Sequence, residues 1–253
     1  MPAEPDAETL RRFVHGDQAA FEQLFRRFEA DVHGWIVRIV RDRSAADDVL
    51  VDAFWRAYRG RAQFDATRSF GAWMRRIATN AALDHIRSAS RHRAERPADD
   101  SLPARPGTDR DTHDAITAAF RELPPDLQLV ATLALVEEEP YAVIADALGI
   151  PVGTVKSRVF RATRMLRQEA RQAGSTTMLN REDGLRDDEL IRSLRAALPR
   201  ADVSAPSRDL WAAVVQRTQQ PPRWSLGDWS AAAIVVIGLL MFPKWFWFLA
   251  YHL

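Results

Sequence analysis

The chain has 253 residues, of which 35 are Lys or Arg and 34 are Asp or Glu, and it contains no Cys. Because the net charge is close to zero, the total charge does not indicate what the protein binds. Any basic surface has to come from local clustering of Lys and Arg. The lack of Cys excludes disulfides, thiol catalysis and Cys-ligated zinc. The six His residues are scattered without catalytic or metal-ligand spacing, so we expect no enzyme activity, cofactor or metal.

The first part of the chain, residues 8–88, is predicted to be an all-helical domain. Apolar residues recur at intervals of three and four in AAFEQLFRRF, VHGWIVRIV and DDVLVDAFWRAY, which is the period of a helix with one buried face. Residues 89–111 contain several Pro and charged residues but almost no large apolar ones. Such a composition buries too little surface to offset its ordering entropy, so it predicts a flexible linker. A second helical domain is predicted over residues 112–172.

A helix-turn-helix is predicted within this second domain. A short helix over Tyr141–Leu148 is followed by Gly149 and Pro151 at a tight turn and then by a second helix. At about 100° per residue, one narrow face of that second helix is apolar. Its members are Val155, Val159, Ala162 and Leu166. Six cations against two acids fall within residues 141–172. A solvated surface helix is the alternative, but such a surface is normally mixed in sign, so the cations favour DNA binding in the major groove.

Residues 173–227 are predicted to form a helical stalk. One short helix is predicted over 187–198, and a second begins after Pro206 with Ser207 as its cap. Residues 228–253, DWSAAAIVVIGLLMFPKWFWFLAYHL, are almost entirely apolar, and a helix needs about 20 such residues to cross a bilayer. We therefore predict one transmembrane helix there, with a buried helix or an amphipathic hairpin as the alternatives.

Two parts of the sequence resemble a known family. The segment LPPDLQLVATLALVEEEPYAVIADALGIPVGTVKSRVFRATRMLR is similar to region 4, the promoter-reading region, of extracytoplasmic-function (ECF) sigma factors of bacterial RNA polymerase. The segments GDQAAFEQLFRRF, AADDVLVDAFWRAY and FDATRSFGAWMRRIATNAALDHIR resemble region 2 of the same family. The two regions occur in the family's order over about residues 8–172. The resemblance implies a protein that binds core RNA polymerase and promoter DNA.

The resemblance also implies roles for individual residues. In region 4, contacts to the minus-thirty-five element are implied for Thr154, Lys156, Ser157, Arg158, Arg161 and Arg164. In region 2, capture of the minus-ten element is implied for Phe64, Asp65, Thr67, Arg68, Ser69, Arg75, Arg76, Asn80 and Arg87. Docking on the polymerase is implied for Asp47, Asp48, Val49, Asp52, Phe54 and Trp55. The residue types suit these roles, since Arg and Asn bind phosphates and bases and an aromatic ring can stack on an extruded base. For Phe64, Val49 and Phe54, burial in the protein core is the alternative.

Two positions depart from the family pattern. The family commonly has Gln-Glu where this chain has Val51 and Asp52, which is expected to weaken polymerase docking. The family often has Glu where this chain has Val143. This residue lies in the first helix of the DNA motif, so the change puts one contact to the DNA backbone in doubt.

Together these features predict an ECF-type sigma factor that directs promoter-specific initiation of transcription. Anti-sigma partners of this family are often membrane proteins with a short helical inhibitory domain, and the stalk and tail look like such a protein fused to its own sigma factor. We therefore expect intramolecular inhibition by the stalk and a location at the cytoplasmic face of the inner membrane, with a single-pass C-terminal helix and the N-terminus in the cytoplasm. The alternatives are a membrane-anchored helix-turn-helix regulator that binds DNA without joining polymerase, and an interaction protein that only sequesters other factors.

Overall fold

The regular elements of the structure are helices. A computed structural model describes residues 2–95, 109–172, 187–201, 206 and 208–219. Within these ranges no residue lies in a strand, so the predicted all-α fold class is confirmed for the described part of the chain. Residues up to Arg217 belong to one compact unit.

The N-terminal domain consists of α1 (Ala7–Val14), α2 (Gln18–Val40), α3 (Arg43–Gly60) and α4 (Phe70–Glu95). The first three helices each begin after an Asp whose carboxylate accepts a hydrogen bond from the backbone N–H three residues further on, which satisfies a donor that the helix leaves unpaired. The side chains fully enclosed between the helices include Phe21, Phe25, Phe54, Phe70 and Met74. Aromatic contacts hold the domain together; the rings of Phe25 and Phe54, for example, lie 4.8 Å apart between centroids.

The second domain consists of α5 (Asp109–Glu122), α6 (Pro125–Ala131), α7 (Tyr141–Leu148) and α8 (Val152–Gln172), with a π-helical turn at Thr132–Val136 after α6. Gly149 ends α7 with a φ of 64°, a left-handed conformation that Gly adopts without strain. The chain then turns into α8, so the predicted helix-turn-helix is confirmed. The predicted apolar face of α8 is also confirmed. Its residues Val155, Val159, Ala162 and Leu166 are all buried.

Two further helices belong to the predicted stalk, α9 (Asp187–Ala197) and α10 (Trp211–Gln219). The first begins where it was predicted, whereas α10 begins later than predicted. The carboxylate of Asp209 accepts a hydrogen bond from the backbone N–H of Trp211 at 2.9 Å, so a local side-chain contact marks the start of the helix. The predicted cap, Ser207, lies outside the described residues.

The helices on either side of the predicted linker are longer than expected. α4 continues to Glu95 and α5 begins at Asp109, so both ends of the segment 89–111 are helical. Residues 89–95 contain no Pro or Gly, and Ala and Arg are strong helix formers, so the helix continues although it buries little surface. Residues 96–108 lie outside the described part of the chain.

The predicted membrane location is wrong. Within the described ranges, no helix is both long enough and apolar enough to cross a bilayer. The longest of them, α4, has 26 residues but carries charged side chains along its length, and a span needs about 20 predominantly apolar residues. The prediction of a location at the cytoplasmic face of the inner membrane is corrected on this finding. The segment 228–253, on which it was based, lies outside the described residues.

A buried hydrogen bond between α2 and α4 tests how the N-terminal domain is held together. Indole Nε1 of Trp35 donates to the hydroxyl of Thr79 at 2.9 Å, and both residues are buried. Thr79→Val keeps the side-chain volume but removes this acceptor, so we expect the free energy of unfolding to fall by about 1–3 kcal/mol. Urea denaturation followed by circular dichroism measures the change. The control Thr79→Ser keeps the hydroxyl, and an equal loss in both variants would contradict the prediction.

Candidate nucleic-acid and protein interfaces

The face of α8 opposite its apolar seam carries the predicted minus-thirty-five contacts. Lys156, Ser157, Arg161 and Arg164 are exposed, and Thr154 is half-buried. The hydroxyl of Ser157 donates to the backbone carbonyl of Thr154 at 2.9 Å, so these two residues are held in the first turn of the helix. Arg can bind guanine or phosphate through two hydrogen bonds, and Lys supplies a point charge for phosphate. This face therefore has the charge and the side chains that a DNA groove requires.

Arg158 differs from its neighbours on α8. Its guanidinium lies 3.6 Å from the carboxylate of Asp126 in α6, and its side chain is only 22% exposed. The same carboxylate accepts a hydrogen bond from Nη2 of Arg87 in α4 at 2.8 Å. Asp126 was not singled out from the sequence. It contacts both Arg158, a predicted minus-thirty-five residue, and Arg87, a predicted minus-ten residue. In this arrangement both guanidinium groups are paired within the protein.

Arg76 of α4 also contacts the second domain. A Cβ atom added to Gly149 would lie 2.6 Å from Cζ of Arg76, so the guanidinium packs directly on the turn of the helix-turn-helix. Gly149 suits the left-handed backbone conformation at this turn, and its lack of a side chain leaves room for the Arg76 guanidinium. The domains are closed on each other through side chains that were predicted to bind DNA.

The predicted base-capture loop lies between α3 and α4. The carboxylate of Asp65 accepts hydrogen bonds from the hydroxyl of Thr67 at 2.7 Å and from its backbone N–H at 3.0 Å, and these bonds hold the pKa of Asp65 below its usual value. The side chain of Arg68 is 81% exposed. Phe64 is buried and packs on Trp73 with 4.7 Å between ring centroids. Its ring therefore lies in the protein core, which was the alternative to base stacking for this residue.

The N-terminal segment covers the end of this loop. The carboxylate of Glu4 accepts hydrogen bonds from the hydroxyl of Ser69 at 2.5 Å and from the backbone N–H of Phe70 at 2.9 Å. It lies at the first turn of α4, where the helix dipole favours an anion. Two further predicted minus-ten residues follow on α4. The guanidinium of Arg75 lies over an indole ring of α2 at 4.9 Å, and Asn80 is exposed.

The predicted polymerase-docking residues of α3 fall into two groups. Val49 and Phe54 are buried in the N-terminal core, so their side chains cannot reach a partner while the domain is folded. Asp47 is also buried, and its Oδ1 lies 3.1 Å from Nε2 of His33, a buried residue of α2. The remaining three, Asp48, Asp52 and Trp55, are exposed or half-buried.

Helix α10 and the residues before it lie against the acidic face of α3. Nη2 of Arg217 donates to Oδ1 of Asp52 at 2.8 Å, and the same guanidinium lies 5.2 Å from the ring centroid of Trp55. Nε of Arg208 lies 3.4 Å from Oδ2 of Asp47. Three of the predicted docking residues are therefore engaged by the stalk.

A further charged cluster was missed by sequence reasoning. The three consecutive Glu residues 137–139, here called the acidic triplet, lie between the π-helical turn and α7. Arg38 of α2 pairs with the last of them at 2.5 Å, and Arg41 pairs with the first at 3.1 Å. Arg195 of α9 pairs with the middle one at 2.8 Å. Three adjacent acids in a chain rich in Arg suggest ion pairs, but the sequence does not reveal which cations lie beside them.

Two family profiles match the chain. The profile for sigma-70 region 2 matches residues 24–92, and the profile for sigma-70, region 4, matches residues 113–166. The two matches fall in the N-terminal and second domains in the order that the sequence predicted.

Curated relatives extend this match. The RNA polymerase sigma-H factor of Pseudomonas aeruginosa is 32% identical over 181 residues, which cover 64% of this chain and 92% of that protein. The ECF RNA polymerase sigma factor SigM of Mycobacterium tuberculosis is 37% identical over 160 residues, or 62% and 80% of the two chains. The structure of CnrH in complex with the cytosolic domain of CnrY matches with a TM-score of 0.41 and 24% identity, covering 67% of this chain and 99% of that one. On the two profiles and the curated relatives, the chain belongs to the ECF sigma factors of the sigma-70 family, with both region 2 and region 4.

Proposed function

We propose that this ECF sigma factor reads the minus-thirty-five element of its promoters with α8. The observation that carries the proposal is the division of α8 into two faces. Its apolar seam is buried in the domain, which leaves Lys156, Arg161 and Arg164 exposed on the other side. These cations suit a helix seated in the major groove, where phosphate contacts position the protein and base contacts specify the sequence.

The proposal extends to capture of the minus-ten element by region 2. Extrusion of a base costs a few kcal/mol, which the protein has to offset with stacking and hydrogen bonds. The exposed side chains of Asp65, Thr67 and Arg68 are available for polar contacts. Phe64 would have to leave its contact with Trp73 to stack on a base, so the polar residues of the loop are proposed to make the first contacts.

The acidic face of α3 is proposed to dock on core RNA polymerase. Carboxylates beside an aromatic ring form a surface that suits a basic, partly apolar helix of a partner. This face, together with the region 2 match, favours a sigma factor over a helix-turn-helix regulator that binds DNA without polymerase. Co-purification of the full chain with core polymerase distinguishes the two functions. No residue of this chain is proposed to act as a catalytic group.

We further propose that the stalk restrains the two domains, in the manner of an anti-sigma segment. α9 packs on α5 and on the π-helical turn, and Nε of Arg195 donates to the carbonyl of Leu135 at 2.7 Å. A guanidinium nitrogen of Arg41, the residue that follows α2, donates to the carbonyl of Pro199, just after α9. The stalk thus contacts both domains in their closed arrangement. When the two domains separate, three guanidinium groups would lose their contacts with protein and would contact DNA instead. These are the groups of Arg76, Arg87 and Arg158.

The proposed role of α8 predicts a specific loss on truncation of Arg161. Arg161→Ala removes an exposed guanidinium, so we expect run-off transcription with core polymerase to fall about tenfold on the chain's own promoters, in keeping with the loss of one base or phosphate contact. Binding to core polymerase should be unchanged. The matched control is Arg11→Ala, which removes an exposed guanidinium from α1. Equal transcription by the Arg161 variant and the wild type would contradict the proposal.

The closed arrangement predicts that the domains separate when the acidic triplet is neutralised. In the double variant Glu137→Gln, Glu139→Gln, the carboxylates that pair with Arg41 and Arg38 lose their charge, so region 4 loses part of its attachment to region 2. Since the chain has no Cys, spin labels on Ser44→Cys and Val152→Cys, both at exposed positions, report the distance between the domains. We expect a longer and broader distribution of label distances.

The control for this experiment is Glu122→Gln, which neutralises an exposed carboxylate on α5. It should leave the label distances unchanged. A triplet variant with the same distances as this control would show that the acidic triplet does not hold the domains together.

A further inference from the structure

We propose that α10 inhibits this sigma factor by occupying the polymerase-docking face of α3, with Arg208 and Arg217 in the positions of polymerase cations. The inference rests on the proposed function, because it takes this face of α3 to be the docking surface. It adds a mechanism, namely direct competition between a helix of the same chain and the polymerase for one set of carboxylates.

The apolar half of the contact seats α10 on the N-terminal core. Leu210 and Val214 are buried. The ring of Trp211 lies 5.3 Å from the ring of Phe21 and 5.3 Å from the ring of Phe25, measured between centroids. Aromatic side chains packed at this spacing contribute beyond their buried area. The helix therefore holds a defined position on the domain.

The polar half of the contact engages the docking face itself. Arg217 reaches both Asp52, at 2.8 Å, and the ring of Trp55, and Arg208 reaches Asp47. A guanidinium that pairs with a carboxylate and lies over an aromatic ring uses both of the features that this surface offers to a partner. A polymerase helix of the same chemistry would require the same atoms.

A separate ion pair fixes the start of α10 outside this face. Asp209 accepts two hydrogen bonds from Arg26 of α2, at 2.8 and 3.0 Å. The hydrogen bond from Arg26, together with that from the backbone N–H of Trp211, holds the pKa of Asp209 below its usual value. Since neither Arg26 nor Asp209 belongs to the proposed docking residues, this pair can be altered without a change in the docking face.

Competition has a measurable consequence for polymerase binding. If α10 and polymerase exclude each other, the apparent dissociation constant for polymerase equals the intrinsic constant divided by the fraction of chains in which α10 is undocked. The full-length double variant Arg208→Glu, Arg217→Glu removes both pairs and introduces repulsion. We expect it to bind core polymerase about tenfold more tightly than the wild type. Biolayer interferometry with immobilised core enzyme measures the constant, and circular dichroism verifies that the variant is folded.

The matched control is Arg11→Glu, which reverses an exposed charge on α1 and should leave polymerase affinity unchanged. A second experiment works in the opposite direction. The variant Arg26→Cys, Asp209→Cys contains the only two thiols of the chain, and a short bis-maleimide can join them. With the link in place α10 stays docked, so we expect polymerase binding to be lost, whereas the unlinked variant with blocked thiols binds at least as tightly as the wild type.

The outcomes separate the inference from the function on which it rests. Asp52→Lys disrupts the docking face and should abolish binding. If it does so while the Arg208, Arg217 variant binds no more tightly than the wild type, or while the linked protein still binds, the competition by α10 is overturned and the docking face stands. If no variant binds core polymerase, including the one in which α10 is released, both the inference and the proposed docking surface are overturned.

Discussion

In the closed arrangement, the acidic triplet, residues 137–139, contacts region 2 and the stalk. The side chain of Glu137 is only 4% exposed, and it accepts hydrogen bonds from Arg41 and from the backbone N–H of Ala201, so region 2 and the stalk both satisfy one buried carboxylate of region 4. A buried charge left without a partner is strongly destabilising. Arg41 and Glu138 also have positive φ angles, 62° and 58°, which persist only where the surroundings fix them. The junction is therefore expected to form or separate as a whole.

Charged side chains at the predicted interfaces also pair with opposite charges from the same chain. Where a polyanion is expected, the chain supplies its own carboxylates: Asp126 lies between Arg87 and Arg158, and Glu4 lies at the first turn of α4. Where a cationic partner is expected, on α3, the chain supplies Arg side chains of the stalk. Charged side chains that are partly buried without a partner lower the stability of the folded protein. In the closed form these groups pair within the chain, and under the proposed function DNA or polymerase would replace the internal partners.

Much of the fold was predictable because it follows from local periodicity. The buried seam of α8 and the turn at Gly149 depend on residues close in sequence, and both were predicted. The state of individual site residues was not predictable in this way. Arg158 and Arg161 lie on one face of α8, yet only Arg158 meets Asp126, since that contact is set by the packing of α6 rather than by spacing along the helix. The burial of Phe64 and the docking of α10 likewise depend on tertiary neighbours, which an amphipathic pattern does not identify.

Under the proposed function, each of the two binding events would displace a contact made within the chain. Polymerase bound to α3 would displace α10, and promoter DNA bound to α8 would compete with the carboxylate of Asp126 for Arg158. Under the proposed function, each ligand would compete with a contact of the closed form, and a ligand shifts a conformational equilibrium by its differential affinity for the two states. If release of α10 and separation of the two domains occur together, reciprocal linkage requires that polymerase raise the affinity for DNA and that DNA raise the affinity for polymerase by the same factor. A sigma factor closed in this way would engage promoters efficiently only as part of the holoenzyme.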